Sequence, residues 1–168
     1  MSIRKVKLVP GEYYHIYNRG NSKQKIFLDQ EDYSHFLGLL YASNQKDNLK
    51  VGNLNKGQTL FDLEREILLV NIGAYCLMPN HFHLLITQSG EKENNISIFM
   101  QKLSTSYSMY FNKKYNRTGG LFEGKFKAQH LDKDPYLKYI FSYIHLNPLK
   151  TLDQHWQTSI VRGKQVSF

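Results

Sequence analysis

Three features of the sequence predict an α+β domain built on a central antiparallel sheet: strand-like runs alternate with amphipathic helical segments, two of the runs meet at a Pro79-Asn80 turn, and no disulfide framework is available to replace a core. The chain has 168 residues and one cysteine. That length suits a single domain, expected over residues 1–168, with enough apolar surface to bury a core unaided. Cys76 falls in an apolar run with no cysteine to pair with, so a reducing, cytoplasmic compartment is expected. The opening residues carry Arg4, Lys5 and Lys7 but no hydrophobic stretch follows, unlike a secretory signal, and no apolar run approaches a membrane span.

Residues 11–17 alternate loosely and are rich in Tyr and Ile, which predicts a first strand, broken by Asn18-Arg19-Gly20-Asn21-Ser22. Asp29 or Asp32 is placed to cap a helix whose buried face carries Phe36, Leu37, Leu39, Leu40 and Tyr41. Residues 43–59 are polar and predict a loop; the pieces on either side are too small to fold apart, so it is no domain linker. The apolar run 71–77 and its continuation 81–86 predict two strands of a hairpin. Side chains alternate along a strand, so His81 and His83 point the same way while Phe82 enters the opposite layer.

After a polar turn at 89–95, Ile96, Phe99, Met100, Leu103, Tyr107, Tyr110 and Phe111 recur at helical steps, a helix of about five turns. Its other face carries Lys102, Ser104, Thr105, Ser108 and Lys113. Residues 121–131 predict a strand with Lys125 and Lys127 on one side and Phe126 on the other. Asp134 as N-cap, Pro135 at the first helical position and Pro148 at the end bound a final helix of about thirteen residues. Leu137, Ile140, Phe141 and Ile144 form its core stripe. Tyr139, Tyr143 and Asn147 form a second stripe at four-residue spacing, which puts Tyr143 and Asn147 about 6 Å apart along the axis. The order strand, helix, strand, strand, helix, strand, helix is that of a ferredoxin-like domain with one helix added at the C-terminus.

The net charge is +8, and it is segregated: residues 1–26 and 102–150 are rich in Lys and Arg while 27–101 hold nine of the fourteen acids. If the two basic segments fold together they make one positive face, the footprint of a polyanion binder; solubility alone is the other explanation. Twelve Tyr and ten Phe favour the former, because aromatic rings among basic residues stack on unpaired bases. The His81/His83 spacing suits a divalent cation, since two imidazoles a pleat apart fill neighbouring coordination positions and leave others open. A pair of packed histidines is the alternative for an isolated His-x-His.

Pro79-Asn80-His81-Phe82-His83, followed some sixty residues later by Tyr143-Ile144-His145-Leu146-Asn147-Pro148, resembles the single-tyrosine transposases of the HUH superfamily, specifically the REP-associated branch. The likeness also covers Tyr14-His15-Ile16-Tyr17-Asn18-Arg19-Gly20 and Leu121-Phe122-Glu123-Gly124-Lys125-Phe126-Lys127, so it spans about residues 10–150 and leaves 151–168 as a C-terminal extension. It implies that His81 and His83 bind Mg²⁺ or Mn²⁺, that Asn147 completes the metal site, and that Tyr143, on the added helix, is the nucleophile. It further implies cleavage of single-stranded DNA beside imperfect hairpins through a 5′-phosphotyrosine intermediate. Arg19, Lys102, Lys113, Lys125 and Lys127 are the candidate DNA contacts. Relatives occur as monomers and as dimers, so a homodimer stays open.

Two rivals remain. A metal-dependent hydrolase of the histidine-triad kind requires a third histidine at the position of Leu85, and it has no use for Tyr143. A domesticated nucleic-acid-binding module would not require His81, His83, Tyr143 and Asn147 together. Tyr139 lies two turns, about 12 Å, from Asn147 and is the weaker nucleophile candidate. His145 is about 200° around the helix from Tyr143 and is expected to face away.

Overall fold

The computed structural model describes residues 6–47, 54–91 and 94–148. The element order is β1 (Tyr13–Arg19), α1 (Gln30–Ala42), β2 (Val70–Met78), β3 (His81–Gln88), α2 (Asn95–Lys114), β4 (Lys127–His130) and α3 (Asp134–Leu146), with 3-10 turns at Asn21–Lys23 and Leu60–Asp62. The sheet order is β2-β3-β1-β4, and every neighbouring pair is antiparallel. This is the ferredoxin-like arrangement, with α3 as the added element.

Alternation along the strands sorts side chains onto two faces. Tyr14 and Ile16 of β1 and Phe82, Leu84 and Ile86 of β3 enter one core with Phe36 and Leu39 of α1 and Phe99, Leu103 and Tyr107 of α2. The opposite face presents Ala74, Cys76, Met78 and Leu85 to Ile140 and Ile144 of α3. A helix of thirteen residues is marginal alone in water. Burying two isoleucines contributes roughly 2 kcal/mol each, so packing on the sheet, more than propensity, holds α3 in place.

Local devices set the elements. Asp29 caps α1: its side chain accepts from the Asp32 N–H while Asp32 accepts from the Asp29 N–H, so both aspartates named from sequence act in one capping box. Lys114, at the end of α2, reaches Asp29, Glu31 and Asp32 and ties the two helices together. Pro79 and Asn80 form the two-residue connection between β2 and β3. Their carbonyls accept from the backbone N–H groups of Gly20, Ile26 and Phe27, which pins the hairpin turn against the segment after β1.

The structure departs from the sequence expectations at several points. Strand β1 starts later and runs through Asn18 and Arg19, because Asn18 turns its side chain onto the chain itself: Oδ1 accepts from the Arg19 N–H and Nδ2 donates to the Gly124 carbonyl. The strand expected over 121–131 is confined to Lys127–His130. Gly124 adopts φ 78°, a left-handed conformation that breaks extended pairing, and upstream of it only the bridge between Gly20 and Phe122 remains. The N-cap of α3 is Lys133, not Asp134, and Lys133 makes no side-chain cap. Phe141 is 46% exposed and leaves the core stripe, whereas Tyr143 is half-buried and Asn147 buried. The buried side of α3 therefore runs through Ile140, Tyr143, Ile144 and Asn147, because the sheet lies against that side. Residues 48–53 of the expected loop and the expected 151–168 extension lie outside the described residues.

Candidate active site

The α3 face of the sheet carries the candidate residues. Arg19 of β1 pairs with His81 of β3, and Tyr17 pairs with His83, whose neighbour on the other side is Cys76 of β2. Tyr17 in turn pairs with Lys127 of β4. Antiparallel register thus lays two rows of functional side chains across the sheet, and α3 brings Tyr143 down onto them.

His81 and His83 do share a face: their ring centroids are 4.9 Å apart with the planes at 88°. Tyr143 stands edge-on to His83, centroids 5.5 Å apart at 83°. A cavity of about 330 Å³ collects Tyr17, Asn18, Arg19, Lys23, Asn80, His81, His83, Glu123, Lys127 and Tyr143. A larger hollow of about 860 Å³ lies at the outer edge of β2 and is lined by Leu40, Tyr41, Phe61 and Val70, together with His145. It contains no His81, His83 or Tyr143, so the smaller cavity is the candidate site.

The protonation of His81 follows from its neighbour. The Asn80 amide donates through Nδ2 to the Lys23 carbonyl at 3.3 Å, which leaves Oδ1 facing His81 Nδ1 at 2.6 Å. A carbonyl oxygen only accepts, so Nδ1 of His81 carries the proton and, in the neutral ring, Nε2 carries the lone pair. His83 is buried, and its Nδ1 lies 2.8 Å from Nε2 of His15. Burial pushes the His15 imidazole down to about 4, with the Gln129 side chain offsetting part of the shift, so this ring is neutral near pH 7.

Basic groups reach the cavity from both basic segments, Arg19 and Lys23 from the first and Lys127 from the second. Arg19 is paired with Glu123, its Nη2 2.9 Å from Oε1, and that pairing holds the Glu123 carboxyl below its usual range. The backbone sets the pair: Glu123 N–H donates to the Arg19 carbonyl at 2.9 Å and Asn21 N–H to the Leu121 carbonyl at 2.8 Å. Lys125 is exposed in the loop before β4, and Lys113 is exposed in the last turn of α2. Lys102 sits on the helix-covered side, where Nζ donates to the carbonyls of Gln45 at 2.7 Å, Lys46 at 3.0 Å and Asp47, so its charge is spent on that loop.

Asn147 lies one turn beyond Tyr143, is 1% exposed, and is not among the residues lining the cavity. Its Nδ2 has no hydrogen-bond partner among the described residues. Tyr139 is 58% exposed and stacks between Tyr136 and Tyr143. His145 is exposed and returns its Nδ1 to the Phe141 carbonyl, away from the histidine pair. Among the described residues no group of three or more His, Cys, Asp or Glu is arranged to hold a metal ion. No described helix is long and apolar enough to cross a membrane.

The sequence alone did not single out His15, Tyr17, Asn80 or Glu123 for the site. His15 and Tyr17 had a signal: they are two apart on a strand and so share a face. Which face that is depends on register with β3.

The family model described as "Transposase IS200 like" matches residues 9–147, which includes every one of these cavity residues. The chain belongs to the IS200-like transposase family. No curated protein sequence matches it significantly. Among solved structures, that of a REP-associated tyrosine transposase bound to a REP hairpin superposes with a TM-score of 0.59 at 13% identity, covering 90% of this chain and 74% of that one. A putative transposase from Deinococcus radiodurans R1 gives a TM-score of 0.47 at 13% identity, covering 86% of this chain and 95% of that one. The first of these two structures shares the α+β fold described above.

Proposed function

We propose that this transposase is a metal-dependent single-stranded DNA nicking and joining enzyme of the REP-associated kind, with Tyr143 as nucleophile and DNA hairpins as its substrate. The observation that carries the reading is the convergence of His81, His83 and Tyr143, from two elements sixty residues apart, in one cavity edged by Arg19, Lys23 and Lys127. Structural likeness to a hairpin-bound relative supports the substrate class.

The donor set fits a cation. Asn80 holds His81 in the form whose Nε2 bears the lone pair, and two imidazoles on a rigid strand suit Mg²⁺ poorly and Mn²⁺ better. Asn147 carries a buried amide nitrogen with no partner among the described residues, on the same side of α3 as Tyr143; rotating that amide presents its oxygen instead. A bound cation would neutralise the non-bridging oxygens of the scissile phosphate and the departing 3′ oxygen. The residues of the chain do the rest. The Tyr143 oxygen attacks phosphorus in line, a phosphotyrosine bond forms as the bond to the 3′ oxygen breaks, and the phenolic proton leaves to solvent while the 3′ oxygen is protonated. Lys23 and Lys127 draw the strand in by its phosphates. The linkage conserves the bond energy, so a 3′ hydroxyl can reverse the step without a nucleotide cofactor.

The test is incubation of the protein with Mn²⁺ and an end-labelled single strand containing an imperfect hairpin. A covalent adduct that survives denaturation is expected; binding without any adduct would leave a nucleic-acid-binding module in place of the enzyme.

A further inference from the structure

The geometry points to His15 as a positioning residue for His83: it accepts the Nδ1 proton of His83 and thereby directs the lone pair of His83 Nε2 into the cavity. This rests on the metal-dependent reading of the same site. His15 Nε2 lies 2.8 Å from His83 Nδ1, the two rings are nearly parallel at 24° with centroids 5.0 Å apart, and both side chains are buried. At that distance exactly one proton sits between the two nitrogens. If it belonged to His15, then Nδ1 of His83 would be the acceptor and its proton would reside on Nε2, where it blocks coordination. If it belongs to His83, Nε2 is the basic nitrogen. Only the second arrangement matches His81, which Asn80 holds in the Nδ1–H form by a bond of 2.6 Å. Each histidine of the pair then has a dedicated acceptor behind it, a side-chain amide for one and an imidazole for the other.

The fold gives His15 this place. It pairs with Leu85 on β3 and so stands one row from His83 on the α3 face, diagonal to it across the antiparallel ladder. The His15 ring also faces Tyr143 edge-on at 6.4 Å, so it backs the metal candidate and the nucleophile candidate together. A partner behind a metal-ligating histidine is commonly worth a factor of about 10–100 in metal affinity.

Two measurements test the assignment. In the metal-free wild-type protein, two-bond ¹⁵N–¹H correlations of the histidine rings, with the His83 set identified by its absence from His83→Gln, should show the proton on Nδ1; finding it on Nε2 overturns the proposal. Mn²⁺ titration by electron paramagnetic resonance should then show affinity lower by about 10–100-fold in His15→Phe and close to wild type in His15→Gln, whose amide oxygen replaces the imidazole acceptor. Equal affinity in His15→Phe and wild type, or equal loss in both variants, overturns it. A wild-type protein that binds no Mn²⁺ defeats the metal reading instead, and the ring tautomer then decides the role of His15 by itself.

Discussion

Tyr143 on α3 meets His83 on β3 edge-on, their ring centroids 5.5 Å apart, although the two residues reach that point from different elements and opposite sides of the site. The contact exists because Ile140 and Ile144 anchor α3 on the sheet around Ala74, Cys76 and Leu85. Tyr143→Phe removes one oxygen from this arrangement and leaves the ring in place. Folding stability should change by no more than about 1 kcal/mol, and hairpin binding should persist while the covalent adduct disappears. Tyr139→Phe, on the exposed side of the helix, should leave the adduct intact. Mass spectrometry of the trapped, proteolysed adduct should find the nucleotide on the peptide carrying Tyr143; recovery on Tyr136 or Tyr139 would reassign the nucleophile.

His81→Ala and His83→Ala should each retain the fold and lose Mn²⁺-dependent nicking by more than about 10-fold, the lower end of the cost seen for groups one shell further out. His83→Ala also leaves His15 without its buried partner, so it should lower the melting temperature more than His81→Ala, whose ring is only half-buried. Undiminished nicking in His81→Ala, at matched folding, would remove the metal role of the pair.

Affinity for a single strand should fall with added salt by about 0.7 in log units per log unit of salt for each phosphate contacted. Lys127 lines the cavity and, unlike Arg19 and Lys114, makes no ion pair among the described residues, so Lys127→Glu should weaken binding to all sequences alike and reduce the salt slope by about 0.7. Lys102→Glu should act on the stability of the 45–47 loop and leave that slope unchanged. Fluorescence anisotropy across a salt series separates the two outcomes.

Asp32 gives a pH dependence of folding. Burial raises its carboxyl, but the Leu28 N–H, Lys114, Tyr115 and Tyr110 together outweigh burial and hold it below the ordinary value of 3.8. A group with a depressed folded value contributes stability that is fully present above the unfolded value and is lost as pH falls through the folded one. Asp32→Asn should therefore cost about 1–3 kcal/mol at pH 7, because a buried acceptor of several donors is replaced by an amide. The difference from wild type should shrink as pH drops below 3.8. Urea unfolding at a series of pH values measures both; a difference that is the same at pH 7 and pH 2 would rule out the ionised carboxylate as its source.

Much of this architecture is carried by local periodicity. The common face of His81 and His83 follows from the two-residue repeat of a strand, the hairpin from Pro79-Asn80, and the long helix from Ile96 to Phe111 from three- and four-residue steps. The paired motifs around His81 and Tyr143 were enough to suggest the family. What periodicity cannot supply is which surfaces meet. His15 became a neighbour of His83 through the pairing of β1 with β3, a relation between residues 68 positions apart. Glu123 reached Arg19 only after Gly124 turned the chain out of the expected strand. Phe141 left the expected core stripe, and Tyr143 and Asn147 joined the buried side, because a helix offers several stripes and the one that is buried is chosen by the side chains the sheet presents, not by the helix itself.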